Sequence, residues 1–156
     1  MLRWLVLLIT HAFALALGFA IGIYVLPILT APPGPDKAAI AAASTNVLFT
    51  GRFDPKLPGS DFLHWGEGEL RLMTGKIVHA GRLAPGPDYK LYLAGEFVGT
   101  KEGFLRIKDK AVRIGDVKTF DGFILDVPQG VDVAAYTTAI VWCEAFSQFI
   151  SAAKYR

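Results

Sequence analysis

Between Trp4 and Leu29 the chain carries no Asp, Glu, Lys or Arg. At 1.5 Å per residue that run makes a helix of roughly 39 Å, longer than the ~30 Å hydrocarbon core of a bilayer. It therefore fixes where the rest of the chain works. A secretory signal peptide shares the positive start, here Arg3, but its apolar core is typically only ~7–15 residues long. No Ala-x-Ala cleavage site follows Leu26-Pro27-Ile28-Leu29. Residues 1–30 are thus expected to form an uncleaved transmembrane anchor. The alternative is a cleaved leader on a soluble periplasmic protein.

The charges around the span are few. Arg3 and the amino terminus precede it, while Asp36 and Lys37 nearly cancel after it. The positive-inside rule then puts the N-terminus in the cytoplasm and the remainder in the periplasm or outside the cell. Trp4 and Tyr24 suit the two interfacial belts. Ala14, Gly18 and Gly22 recur every fourth residue, so they share one helix face and would admit a partner transmembrane helix. His11 lies a short way into the run and reads as a neutral imidazole near the interface.

Residues 31–45 form a linker. Proline lacks the backbone donor and clashes with the preceding turn, so Ala31-Pro32-Pro33-Gly34-Pro35-Asp36 ends the helix. It is expected to act as a stiff spacer lifting the domain off the bilayer. Lys37 to Ala43 is alanine-rich and reads as a short helical turn or a loose segment.

Residues 46–156 are enough for one domain with a real core. The formal charge of the whole chain is only +2, which gives no case for a nucleic-acid binder with its basic stripe. The domain reads as mainly β, an antiparallel sandwich or barrel-like fold. Candidate strands are Val47–Phe53, Glu69–Met73, Lys76–Leu83 after a Thr74-Gly75 turn, Asp88–Leu93, and Gly122–Val127. Phe104–Ile107 and Ala111–Ile114 flank Asp109-Lys110 as a plausible hairpin. Tyr136–Cys143 is apolar or β-branched nearly throughout and reads as a central strand buried on both faces. Phe146–Ala153 is a last strand or a short helix.

Three segments occur in a telling order: His64-Trp65-Gly66-Glu67-Gly68-Glu69-Leu70, then Gly86-Pro87-Asp88-Tyr89-Lys90-Leu91-Tyr92-Leu93, then Val131-Asp132 with Val141-Trp142-Cys143-Glu144-Ala145-Phe146. Together they resemble the DM13 domain family over roughly Val47 to Tyr155. That resemblance implies a β-sandwich-like domain in an exported or membrane-attached protein. It also implies an electron-transfer role proposed for its cysteine, as a free thiol or as a holder of a prosthetic group such as haem. This chain departs from the pattern just after His64, where Trp65-Gly66-Glu67-Gly68 stands in place of a small pair.

Cys143 is the only cysteine, so no intrachain disulfide forms. Among Val141, Trp142 and Phe146 it reads either as a small buried hydrophobe with a raised pKa or as a soft ligand to haem or copper. A lone cysteine needs a second ligand, for which His64 is the candidate, with His79 and Met73 behind it. His79 follows Val78, and alternation points it outward. Glu144 falls on the strand face opposite Cys143 and so is no thiol-activating partner. Gly86-Pro87-Asp88 reads as a turn. No serine-hydrolase elbow, P-loop, dinucleotide fingerprint, His-Glu-x-x-His or Cys-x-x-Cys-His is present. The functions that remain are an anchored binding or accessory module, such as a subunit of a membrane complex, and a redox domain built on Cys143.

Overall fold

The computed structural model describes residues 1–156. Helix α1 runs from Leu2 to Thr30 and contains Pro27. It stops where Pro32 and Pro33 begin, as the residue before a proline is driven from the helical region. It is strongly apolar along its length, and none of its side chains is buried within the protein. It is thus long and apolar enough to cross a membrane, as an anchor or as a leader. His11 turns back on its own helix, with Nδ1 2.7 Å from the Leu7 carbonyl.

The linker does not hold the domain at a distance. Helix α2 (Lys37–Ala43) is capped by Asp36, whose carboxylate accepts from the Ala39 N–H at 2.7 Å. Gly34 lies so close to the Asp121 backbone that a Cβ there would stand 2.8 Å from its carbonyl oxygen. Arg71 Nη1 donates to Ser44 Oγ at 3.2 Å. The proline run ends α1 as expected, and the chain then lies against the domain's surface.

Eight strands form two four-stranded antiparallel sheets. The first joins β1 (Phe49–Phe53), β2 (Gly66–Leu72), β3 (Lys76–Leu83) and β6 (Phe123–Asp126) in that spatial order. The second has the order β5 (Val112–Val117), β4 (Tyr89–Ala94), β7 (Thr138–Cys143) and β8 (Gln148–Lys154). The sheets face each other across a core that includes Phe53, Leu70, Ile77, Leu91, Val141 and Ile150. Edge strand β1 comes close to β8, where a Cβ on Gly51 would stand 3.0 Å from the Lys154 carbonyl oxygen. The architecture is a sandwich, and the segment from Gln148 is a strand.

Every residue of β7 is buried, because its sheet is covered twice. The outer face carries a second core of Tyr92, Phe104, Ile107, Ile140, Trp142 and Phe149. Phe104 and Ile107 belong to helix α3 (Lys101–Ile107), which a 3₁₀ turn, Lys108–Lys110, extends. The segment expected to pair as a hairpin is therefore helix followed by β5. Thr100 caps α3, its side chain accepting from the Gly103 N–H at 3.1 Å. Spacing of three places Phe104 and Ile107 on one helical face, and that face covers Trp142.

His79 is a second correction. It is fully buried, and so is Val78. Ile77, His79 and Gly81 face the inter-sheet core, while Val78 points to the other side, where α2 packs on β3. With β3 covered on both faces, alternation of burial vanishes and no longer tells in from out.

Candidate functional site

The site is built where β4 begins and β7 ends. Tyr89 and Cys143 are cross-strand partners in the β4–β7 ladder, so the Gly86-Pro87-Asp88 turn and the Cys143–Ser147 turn sit side by side. The Glu144 N–H donates to the Asp88 carbonyl at 2.9 Å, which ties the two turns together. Gly86 is required here for a steric reason: a Cβ on it would fall 2.5 Å from the Tyr89 ring. The loop preceding β2 supplies a third wall through Leu63 and His64.

These three segments, distant in sequence, enclose one cavity of about 290 Å³ bordered by Cys143, His64, Tyr89, Phe146 and Ile150. Its fourth wall is α1, through Ala20, Ile23 and Tyr24. A more open apolar groove of about 570 Å³ adjoins it, sharing Ile23, Pro87 and Phe146 and running along Gly18 and Gly22.

Cys143 is only 2% exposed and is a free thiol. Burial raises its pKa, since the thiolate loses its hydration, while the backbone amides of Phe146, Asp88 and Ala145 pull the other way. Nearby amides of this kind favour a thiolate once it forms. Tyr89 is held as the neutral phenol, chiefly by burial.

His64 is fixed rather than free. Its Nδ1 lies 2.9 Å from the Asp61 carboxylate, and that carboxylate also accepts the Leu63 and His64 backbone N–H groups at 2.7 and 2.9 Å. The ring is thereby oriented and its Nε2 is left to other partners, as when a carboxylate holds the far nitrogen of a metal-ligating histidine. His79 and Met73 take no part in the cavity. His79 lies between Phe53 and Phe123, at ring-centroid distances of 5.1 and 5.0 Å, and Met73 lines a separate surface hollow near Thr74 and Gly75.

Glu144 points to the other face of the sheet. It pairs with Lys108 at 2.6 Å and accepts from the Tyr92 hydroxyl. Lys108 also lies over the Trp142 ring at 5.3 Å, so this cluster fastens the end of α3 to the sheet. The walls that sequence reasoning missed are Tyr89, Ile150 and the α1 residues.

Donor chemistry limits what the cavity can hold. The two-histidine, one-cysteine set of a blue-copper centre needs three convergent donors, and no three His, Cys, Asp or Glu side chains stand together to hold a metal. A centre of that type therefore does not fit. A haem needs one or two axial donors in an apolar slot. Cys143 and His64 supply those donor types on a largely apolar wall; about 290 Å³ is at the floor for ligand pockets, so a haem would have to extend into the adjoining groove of about 570 Å³.

The family model described as electron transfer DM13 matches residues 56–155. The matched stretch contains every domain residue of the cavity and leaves out β1 and all of α1. No curated protein and no solved structure matches the chain.

Proposed function

The chain belongs to the DM13 family, and we propose that it is a membrane-anchored electron-transfer module whose chemistry is carried by Cys143. The observation that supports this is convergence: the three segments that carry the family resemblance meet around one cavity, whose wall includes both Cys143 and His64. A cysteine used only as core filling has no need of a cavity or of an oriented imidazole nearby. In this reading α1 is the anchor, the N-terminus is cytoplasmic and the domain is periplasmic or extracellular. A haem held by Cys143, with His64 as its second donor, would supply one-electron chemistry. Tyr89, Phe146 and Ile150 would keep water from it. Without such a group the thiol itself is the redox element.

The optical spectrum and metal content of the full chain, purified in mild detergent, test this. Visible absorption that is lost in Cys143→Ser supports the prosthetic-group form. In a colourless preparation, reversible oxidation of Cys143 under native conditions supports the thiol form. A colourless, metal-free protein whose Cys143 reacts only after denaturation would sink both.

A second reading is an accessory or binding subunit that meets a partner helix along Ala14, Gly18 and Gly22. It is favoured by the open space above Gly18 and Gly22, where an added Cβ would meet nothing within 4 Å. The double change Gly18→Leu, Gly22→Leu should then abolish co-purification of a partner from mild detergent. Unchanged behaviour would refute it.

A further inference from the structure

We propose that the domain does not stand clear of the membrane but rests in the outer leaflet, with the Asp61–Trp65 loop and the Cys143–Ser147 turn inserted among lipid acyl chains. The inference rests on the anchor reading of α1.

The argument starts from lengths. If Trp4 marks one boundary of the hydrocarbon, the 20 residues to Tyr24 rise ~30 Å and place Tyr24 at the other boundary. Phe146 borders a groove whose helix wall runs from Gly18 to Pro27, and Ala20, Ile23 and Tyr24 line the cavity it shares with Cys143. That wall reaches from roughly 9 Å inside the hydrocarbon edge at Tyr24 to roughly 4.5 Å outside it. The domain tip therefore lies at the level of the lipid boundary.

The side chains at the tip agree. Phe62 is 85% exposed, Phe146 52% and Leu63 38%. Leu63 and Phe146 share the cavity that Ala20, Ile23 and Tyr24 complete, so this patch continues the lipid-facing surface of α1. Contiguous apolar surface of this kind marks an interaction site. Several polar groups in the loop are paired internally: Asp61 accepts the Leu63 and His64 N–H groups and faces the His64 ring. Such pairing lowers the cost of bringing backbone into lipid. The occupant is therefore the bilayer, and the cavity opens where membrane-soluble molecules travel.

The test uses the full chain in phosphatidylcholine–phosphatidylglycerol vesicles. An environment-sensitive fluorophore is placed at Phe62→Cys, Phe146→Cys, Phe13→Cys or Glu96→Cys in a Cys143→Ala background. Each label is quenched either by iodide in the water or by nitroxide lipids. Glu96 follows the far end of β4, away from the tip. The labels at 62 and 146 should lose iodide quenching about fivefold or more relative to the label at 96, and gain quenching by shallow nitroxide lipids. Equal iodide access at 62, 146 and 96, with the label at 13 deep in lipid, overturns the docking while leaving the anchor intact. Shielding of 62 and 146 from both quenchers means a protein partner covers the tip, and also overturns it. A label at 13 open to iodide overturns the anchor and the docking together. The same labels placed in the chain that retains Cys143, whose thiol is 2% exposed, repeat the measurement free of any effect of the alanine.

Discussion

Mild acid should weaken this fold through His79. The ring is fully buried. Its Nε2 donates to the Glu67 carbonyl at 2.9 Å, which makes Nδ1 the unprotonated nitrogen, and Nδ1 has no partner. A Cβ on Gly81 would stand 2.7 Å from Nε2, so only glycine leaves room for the ring there. Protonation would place an unpartnered charge between Phe53 and Phe123. Burial accordingly lowers the His79 pKa from 6.5 to about 4, with the Glu67 hydrogen bond opposing weakly. Between these values the unfolded chain binds one proton more than the folded one, so stability rises with pH across the window. It is complete above about pH 6.5, falls as the pH drops toward about 4, and is level below. At 1.36 kcal/mol per unit the loss is about 2 kcal/mol by pH 5 and about 3 kcal/mol by pH 4. Urea unfolding of the full chain in mild detergent at pH 7 and pH 5 measures it. That window lies above the range where carboxylates contribute. His79→Phe, whatever it costs at pH 7, should lose this slope. Equal midpoints at both pH values, or an unchanged slope in the variant, would refute the argument.

Other expectations follow from single contacts. Gly86→Ala drives a methyl into the Tyr89 ring and should destabilise by about 1–3 kcal/mol in thermal unfolding, with the Cys143 turn displaced. Phe104→Ala empties the space between Tyr92 and Trp142, whose rings lie 5.3 and 5.0 Å away, and should cost about 3–5 kcal/mol with loss of α3 protection in hydrogen exchange. Native Cys143 should alkylate at pH 7 at least about tenfold more slowly than in urea, and the rate should still be rising above pH 9 because burial holds the thiol protonated. A double-mutant cycle on Lys108→Ala and Glu144→Ala should give a coupling of only about 1 kcal/mol or less, because both side chains are 26% exposed.

What could be read from the sequence depended on how each residue is buried. β7 is legible because covering both faces of its sheet requires an unbroken apolar run. The same double covering on β3 hides His79, since Val78 and His79 are both interior and the period of two has nothing to report. α3 is missed because Phe104-Leu105-Arg106-Ile107 suits a short strand as well as a helix. Thr100, three residues before Gly103, was the available capping signal. Cys143 and His64 stand out by residue type alone. Their meeting depends on the β4–β7 register and on a loop some 80 residues upstream, which no local pattern encodes. The helix wall of the cavity was least visible, because Ala20, Ile23 and Tyr24 are indistinguishable from residues that merely face lipid.

That wall makes bilayer thickness a variable of the site. A spanning helix adjusts to a thicker membrane by changing its tilt or its depth, and α1 cannot do either without carrying Ala20, Ile23 and Tyr24 past Tyr89 and Phe146. The linker packed against Asp121 leaves little slack to absorb the displacement. The aperture beside Cys143 would then widen or narrow with the lipid that surrounds it, so the same chain in membranes of different thickness would present its thiol differently.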